Sequence, residues 1–285
     1  MTKTVAWPDG RRVPALGLGT WRLGETARSR RQEVEAVRTA LALGYRLIDT
    51  AEMYGEGGAE QVVGEAVRGA LAAGDLRRED LFIVSKVYPH NASRHGVVAA
   101  CERSLRRLGL DYLDLYLLHW RGSHPLAATV AGFEALRNAG KVRDWGVSNF
   151  DVADLYELGA VAGGERCAAN QVYYSVTRRG VEFDLLPALR KRRIPLMAYC
   201  PIDQGAAAAD STLAAIGRRL GASAAQVALA FVLRHPDVIA IPKALRLEHL
   251  RENLAAADLT LDAEALAEID RAFPPPRRKR PLAIV

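Results

Sequence analysis

The stretch Tyr45-Arg-Leu-Ile-Asp-Thr-Ala-Glu-Met-Tyr-Gly55 decides how this chain reads. Leu47 and Ile48 start an apolar run that breaks at Asp49 into acid, hydroxyl, phenol and glycine, and Ala59–Ala72 follows with helical spacing. A short buried strand, a polar loop and an amphipathic helix make one βα unit. Outward from it, in both directions, the unit repeats. Strands are expected at Leu16–Gly19, Leu47–Asp49, Leu81–Ser85, Tyr112–Leu118, Trp145–Ser148, Ala169–Val172, Pro195–Ala198 and Val238–Ile241. Helical stretches include Arg31–Leu43, Ala59–Ala72, Gly96–Leu108, Thr129–Ala139 and Ser223–Leu233, several followed by a glycine (Gly44, Gly74, Gly109, Gly140) of the kind that ends helices. Strand and helix in strict alternation imply parallel pairing through crossover helices. Eight strands close a βα barrel of about 250 residues. The expected fold is therefore α/β, a (β/α)8 TIM barrel, in one domain over residues 1–285.

The flanks fit that frame. Thr4–Trp7 and Arg11–Val13 surround Pro8-Asp-Gly10, which reads as a hairpin turn placed to plug the bottom of the barrel. Leu247–Ala256 and Ala263–Ala272 read as two further helices, and Pro274-Pro-Pro276 opens a tail over 274–285. A doubly wound nucleotide fold would need a glycine fingerprint. Gly17-Leu-Gly19 and Gly55-Glu-Gly-Gly58 both lack its third glycine, and Gly140-Lys141 is followed by valine, so the phosphate-loop pattern fails too.

Composition narrows the function classes. The chain has 49% hydrophobic and 25% charged residues and no apolar run of about 18 residues, so no membrane partner is expected. The N-terminal residues show no charged-then-apolar leader, which makes the cytoplasm the expected compartment. Cys101, Cys167 and Cys200 have neither disulfide-framework nor metal-ligand spacing, and no metal is expected. The net charge of +6 comes from arginines scattered over helix faces, apart from Arg277-Arg-Lys-Arg280, which reads as a solvated tail. No nucleic-acid partner is expected. The expected partner is a small molecule, and the expected state a monomer.

In a βα barrel the chemistry lies at the C-terminal ends of the strands. Those ends deliver Thr20 and Trp21, Asp49, Lys86, His119, Ser148 and Asn149, Asn170 and Gln171, Tyr199, and Pro242 and Lys243. Only six of the 39 basic residues are lysines, yet two of the six, Lys86 and Lys243, stand at strand ends. Tyr54 follows Asp49 by five residues in a glycine-containing loop that can bend over the barrel mouth. A free phenol has a pKa near 10, and an adjacent ammonium lowers it by favouring the phenolate. Asp49 would hold Lys86 charged, Tyr54 would protonate an oxygen becoming alkoxide-like, and His119 would donate a hydrogen bond to the same oxygen. That is machinery for reducing a carbonyl. Singly, His119 reads as a core histidine and Asp49–Lys86 as a structural ion pair; their joint placement on neighbouring strands reads as catalysis.

These residues sit in segments that resemble the aldo-keto reductases: Gly17-Leu-Gly-Thr-Trp21, Leu47–Gly55, Val84-Ser-Lys86, Asp114-Leu-Tyr-Leu-Leu-His119, Gly146-Val-Ser-Asn-Phe150, Asn170-Gln171 and Ile241-Pro-Lys243. The resemblance runs from about Pro14 to Phe273 and puts the family's catalytic tetrad on Asp49, Tyr54, Lys86 and His119 without substitution. It implies NADPH (NADP+) as cofactor, extended across the barrel mouth. Ser148, Asn149 and Gln171 would take the carboxamide and Tyr199 would stack on the nicotinamide. Lys243 would meet the adenosine 2′-phosphate and Glu252 and Asn253 the adenine, with Thr20, Trp21, Asp49, Pro201 and Gln204 as further contacts. Ala244 stands where a serine is frequent and His249 where arginine is, departures for which Arg246 can compensate. Cys200, where serine is usual, reads as a packing residue. Trp21, Tyr54, Tyr88, His119 and Trp120 would line an apolar substrate pocket. Within the family, Ala51-Glu-Met-Tyr54, Val87-Tyr-Pro89 and His119-Trp-Arg121 look most like bacterial reductases of small dicarbonyls such as methylglyoxal.

Three other readings compete. A serine hydrolase would use Ser148, but Gly146-Val-Ser-Asn-Phe150 lacks the second glycine of a nucleophile elbow. A redox-sensing subunit that binds cofactor with little turnover is the alternative function, against which the complete tetrad argues. Ser148, Asn149 and Gln171 also read as plain helix caps.

Overall fold

The computed structural model describes residues 3–285. In chain order its elements are β1 (Thr4–Ala6), β2 (Arg12–Pro14), β3 (Leu18–Gly19), α1 (Arg30–Leu43), β4 (Leu47–Asp49), α2 (Gly58–Ala72), β5 (Phe82–Val87), α3 (Arg94–Leu108), β6 (Leu113–Leu118), α4 (Leu126–Asn138), β7 (Val142–Ser148) and α5 (Val152–Gly159). There follow β8 (Asn170–Tyr173), α6 (Leu185–Arg192), β9 (Leu196–Tyr199), α7 (Ser211–Leu220), α8 (Ala224–Leu233), β10 (Val238–Ala240), α9 (Leu247–Ala256) and α10 (Ala263–Ala272). From β3 to β10 this is the (β/α)8 succession. Two compact units carry it: Leu18–Ala169, and the described part of 1–17 together with Asn170–Val285.

In the first unit β3 to β7 pair in sequence, all parallel. Every residue of β4, β5 and β6 is buried, because helices such as α3 and α4 pack onto the strands. Parallel strands covered on both faces read as continuous apolar runs, and a polar residue inside one is then conspicuous. The register arranges those exceptions. Asp49 pairs with Val84, and Lys86 lies two residues beyond Val84. Lys86 in turn pairs with Leu117, and His119 lies two residues beyond that. Leu117 pairs with Gly146, two residues before Ser148. Side chains two apart share a sheet face, so Asp49, Lys86, His119 and Ser148 climb one face in a staircase. Glycines shape the approach to it. Gly24 has φ +69° and Gly55 φ +57°, a region costly to side-chain-bearing residues; a Cβ on Gly24 would meet the carbonyl carbon of Gly58 at 2.1 Å, and one on Gly55 would meet Gly24 at 2.8 Å. The loop after β3 can therefore lie directly on the turn that carries Tyr54.

In the second unit β8, β9 and β10 are parallel neighbours, and Leu16 bridges Ala240. The expected hairpin is present: β1 and β2 are antiparallel, with Gly10 at φ +89° and its N–H donating to the Trp7 carbonyl. α8 is apolar nearly all round and buried, capped by Ser223 and Gln226 reciprocally. No single helix among the described residues is long and apolar enough to cross a membrane.

Several expected boundaries move. Lys86 was expected just past its strand; it lies inside β5, because Val87 still pairs with Leu118. Likewise Tyr199 is the last residue of β9, and Asn170 and Gln171 open β8, where the sequence reading had them at strand ends. β7 starts at Val142, three residues before the expected Trp145, since exposed Arg143 and half-buried Asp144 hide the pairing of Val142 with Leu113. β3 is shorter than expected, as Leu16 and Gly17 turn to Ala240 instead. The helices α5, α6 and α7 were not named from sequence. α5 and α6 are eight residues each, about two turns, too short for a period to be distinct. The tail over 274–285 has no regular structure, but Leu282 and Ala283 are half-buried and the Tyr199 hydroxyl lies 3.5 Å from the Ala283 carbonyl.

Candidate active site

The first unit brings Asp49, Tyr54, Lys86 and His119 together. Lys86 is wholly buried on β5, and its ammonium lies 2.6 Å from Asp49 Oδ1 on β4, 2.9 Å from the Thr50 carbonyl and 3.2 Å from Tyr54 Oη. These three acceptors account for all three ammonium protons. Burial by itself would push the lysine down, but the charge of Asp49, with Tyr54 behind it, outweighs that and holds Lys86 above its ordinary value. It is a fixed cation. Tyr54 stands at the head of a short 3-10 turn (Tyr54–Gly57), half-buried, with the Lys86 nitrogen 4.8 Å from its ring centre.

His119, one residue past β6, presents its ring edge-to-face to Tyr54 at 5.7 Å. Burial first, and the Lys86 charge second, press its pKa well below the ordinary histidine value, so it is neutral near pH 7. Its Nδ1 is buried and has no hydrogen-bond partner among the described residues. A buried N–H without an acceptor costs more than an idle lone pair, which favours the tautomer with hydrogen on Nε2.

Behind Tyr54 lies a buried polar frame that the sequence reading missed. Glu52 accepts from the Tyr88 N–H at 2.8 Å, from Asn91 Nδ2 at 3.0 Å and from Arg103 at 3.3 Å, while its own N–H donates to the Lys86 carbonyl. Glu60, fully buried on α2, accepts from Ser85 Oγ at 2.5 Å and Arg107 Nε at 2.6 Å. Glu52 thus ties the turn of Tyr54 to the segment of Tyr88. The signal was there: Glu60 falls between Ala59, Val62 and Val63 on the buried face of its helix, where a charge requires partners.

Of the expected substrate residues, Tyr88, His119 and Trp120 adjoin one another, with Tyr88–Trp120 ring centres 6.1 Å and His119–Trp120 4.9 Å apart. Trp21 is half-buried with Arg22 over its ring. Thr20 has its hydroxyl proton committed to the Asp49 carbonyl at 2.9 Å. Ser148 ends β7 and Asn149, at φ +59°, donates to the His119 carbonyl and to Ser148 Oγ. Neither caps the next helix: Asp151 does, with Asp154 completing the box.

In the second unit Gln171 is buried on β8, and the Tyr199 ring lies 5.5 Å from that of Tyr173. Pro201 is buried and Gln204 exposed at φ +56°. The Cys200 thiol is pushed up to about 11 by burial and by Asp203, so it is no thiolate. Lys243 is exposed, Ala244 buried, and Arg246 directly precedes α9. Arg246 donates to His249 Nε2 at 2.5 Å, so His249 acts as an acceptor that orients the guanidinium. Glu252 gives its carbonyl to Gln226, and Asn253 is buried.

The family model described as the aldo/keto reductase family matches residues 15–273, running through both units. The chain belongs to the aldo/keto reductase family. Its fold is accordingly the (β/α)8 fold with an N-terminal hairpin, and it is an oxidoreductase. An aldo-keto reductase from Klebsiella pneumoniae, solved in complex with NADPH, superposes with a TM-score of 0.94 at 48% identity, covering 100% of both chains. Methylglyoxal reductase YeaE of Escherichia coli (strain K12) is 48% identical over 96% of this chain and 95% of its own length. Glyoxal reductase of Bacillus subtilis (strain 168) is 35% identical over 94% and 91% respectively.

Proposed function

We propose that this aldo/keto reductase uses NADPH to reduce aldehydes and small dicarbonyls to alcohols, with Tyr54 as the general acid. The observation that carries the proposal is the buried Lys86 ammonium bracketed by Asp49 Oδ1 and Tyr54 Oη. Lys86 has no proton left to give a substrate. Tyr54, a half-buried residue, has one on a hydroxyl beside a cation that stabilises the phenolate left behind.

The residues fit the cofactor. Lys243 and Arg246 put two exposed cations just ahead of the α9 N-terminus, an arrangement suited to a phosphate. Ser148 and Asn149 in the first unit, and Gln171 in the second, carry the hydroxyl and amide groups that a carboxamide pairs with. Tyr199 offers an aromatic face, and Thr20, Trp21, Pro201, Gln204, Ala244, Glu252 and Asn253 are assigned contacts on the same resemblance.

When bound, the reduced nicotinamide supplies the hydride taken up by the carbonyl carbon. The chain does the rest. Neutral His119 donates from Nε2 to the carbonyl oxygen and orients it. As negative charge gathers there, the Tyr54 Oη–H bond breaks and the proton moves to that oxygen, completing the alcohol. Lys86 holds the phenolate until water returns the proton, and Asp49 keeps Lys86 charged. Tyr88 and Trp120 form an apolar wall beside His119 that suits small carbonyl compounds.

NADPH consumption by the purified protein should be seen with methylglyoxal and with an aromatic aldehyde. Tight NADPH binding with no turnover on a panel of reactive aldehydes and dicarbonyls would overturn the proposal. Lys243→Ala should raise the Kd for NADPH about tenfold, the loss of one charge-assisted contact, and leave NADH nearly unchanged. Equal weakening of both would detach Lys243 from the 2′-phosphate.

A further inference from the structure

We propose that the outer face of the first unit carries a binding site for a small, multiply charged anion, separate from the residues assigned to catalysis and cofactor. A cleft of about 410 Å³ there is lined by Arg30, Gln61, Arg68, Arg103, Arg106 and Arg107. Its volume falls within the usual range for small-ligand sites, roughly 300–1,000 Å³. Three helices supply the lining: Arg30 opens α1, Gln61 and Arg68 lie on α2, and Arg103, Arg106 and Arg107 occupy one face of α3 at i, i+3 and i+4.

The charges do not balance. Arg30 meets Glu65 at 3.2 Å, Arg103 meets Glu52 at 3.3 Å and Arg107 meets Glu60 at 2.6 Å. Arg68 and Arg106, both exposed, have no carboxylate partner among the described residues. Five guanidiniums therefore face three carboxylates, and two positive charges stand unmatched. The α3 C-terminus favours Arg106 and Arg107 in its last turn and Arg68 on the carbonyl of its last residue, Leu108, but it gives no reason for Arg30 to be gathered beside them.

The lining is also held in place. Arg68 Nη1 donates to the Leu108 carbonyl at 2.8 Å, and Arg30 Nη1 to Gln61 Oε1 at 2.7 Å. Arg68, tethered through one nitrogen, keeps other N–H groups for a ligand, and its planar fork matches phosphate or carboxylate oxygens. An anion bridging Arg68 and Arg106 would relieve their repulsion and use a guanidinium, that of Arg68, which is already tethered. The ligand class is a di- or polyanion, either a phosphate ester or a polycarboxylate.

The test is calorimetric titration of the full-length protein with inorganic pyrophosphate, and separately with citrate, in the presence and absence of NADP+. With NADP+ saturating, one saturable site is expected, for pyrophosphate alone if the site selects phosphate, for both if it reads charge. Arg68→Gln/Arg106→Gln should weaken it about tenfold or more, as for loss of two charge-assisted contacts, whereas Lys243→Ala should leave it unchanged. Arg106→Gln alone, at an exposed position, guards against a folding defect in the double variant. No saturable heat, heat that NADP+ abolishes, or affinity that survives the double substitution would overturn the proposal.

Discussion

Tyr54→Phe should abolish nearly all carbonyl reduction while NADPH binds with unchanged affinity. The hydroxyl is the only part removed, and it is the group assigned to proton transfer in the transition state. Loss of a positioned general acid costs about 10²–10⁴ in rate, and the ring that fills the space next to His119 and Lys86 is kept. Cofactor affinity, read by fluorescence titration, should stay within about twofold, because the phenol acts on the substrate oxygen. The pairing of results is what matters: kcat collapses and Kd does not. Turnover near the parent level would remove Tyr54 from the acid role. A Kd that rises with the loss of turnover would mean that the hydroxyl serves in binding.

Lys86→Met should have the second largest effect, and on stability as well as turnover. The substitution takes away the cation that faces a carboxylate only 2% exposed. Breaking a buried ion pair from one side costs about 3–5 kcal/mol, because the remaining charge is left in a poor solvent. At about 2–4 °C per kcal/mol for chains of this order of size, the melting temperature should fall by roughly 10 °C. Turnover should fall too, since Tyr54 would lose the charge that makes its phenolate accessible. Asp49→Asn combined with Lys86→Met distinguishes the two effects. Removing both charges should recover much of the stability and none of the activity. A single variant as stable as the parent would show that the pair contributes little to folding; a double variant that regains turnover would sever Lys86 from the chemistry.

The sequence discloses the scaffold and the convergence of Asp49, Tyr54, Lys86 and His119 well, for a physical reason. β4, β5 and β6 are buried on both faces, so Asp49 and Lys86, like Ser85 and Asp114, stand out against runs that are mostly apolar. The boundaries of β4 were read without error, and those of β6 within one residue. β7 was read short because Arg143 and Asp144 belong to the strand yet look like loop. Glu52 and Glu60 were passed over as site components for a related reason. Their function depends on Tyr88, Asn91, Arg103, Ser85 and Arg107, partners 25 to 51 residues away along the chain, which no local pattern indicates. Side-chain identity and strand period are local properties; a hydrogen-bond partner across the sheet is not.

The two-residue step from Asp49 to Lys86 to His119 to Ser148 also limits how such a gene can change. Inserting or deleting a single codon within β5 or β6 would turn the downstream side chains to the opposite face and disperse the tetrad at once. The loops after Trp21, Tyr88 and Trp120 bear no such constraint, because their length alters no register. New substrate preferences should therefore arise through length variation in these loops, while the strands that hold the acid and its lysine tolerate substitution at most.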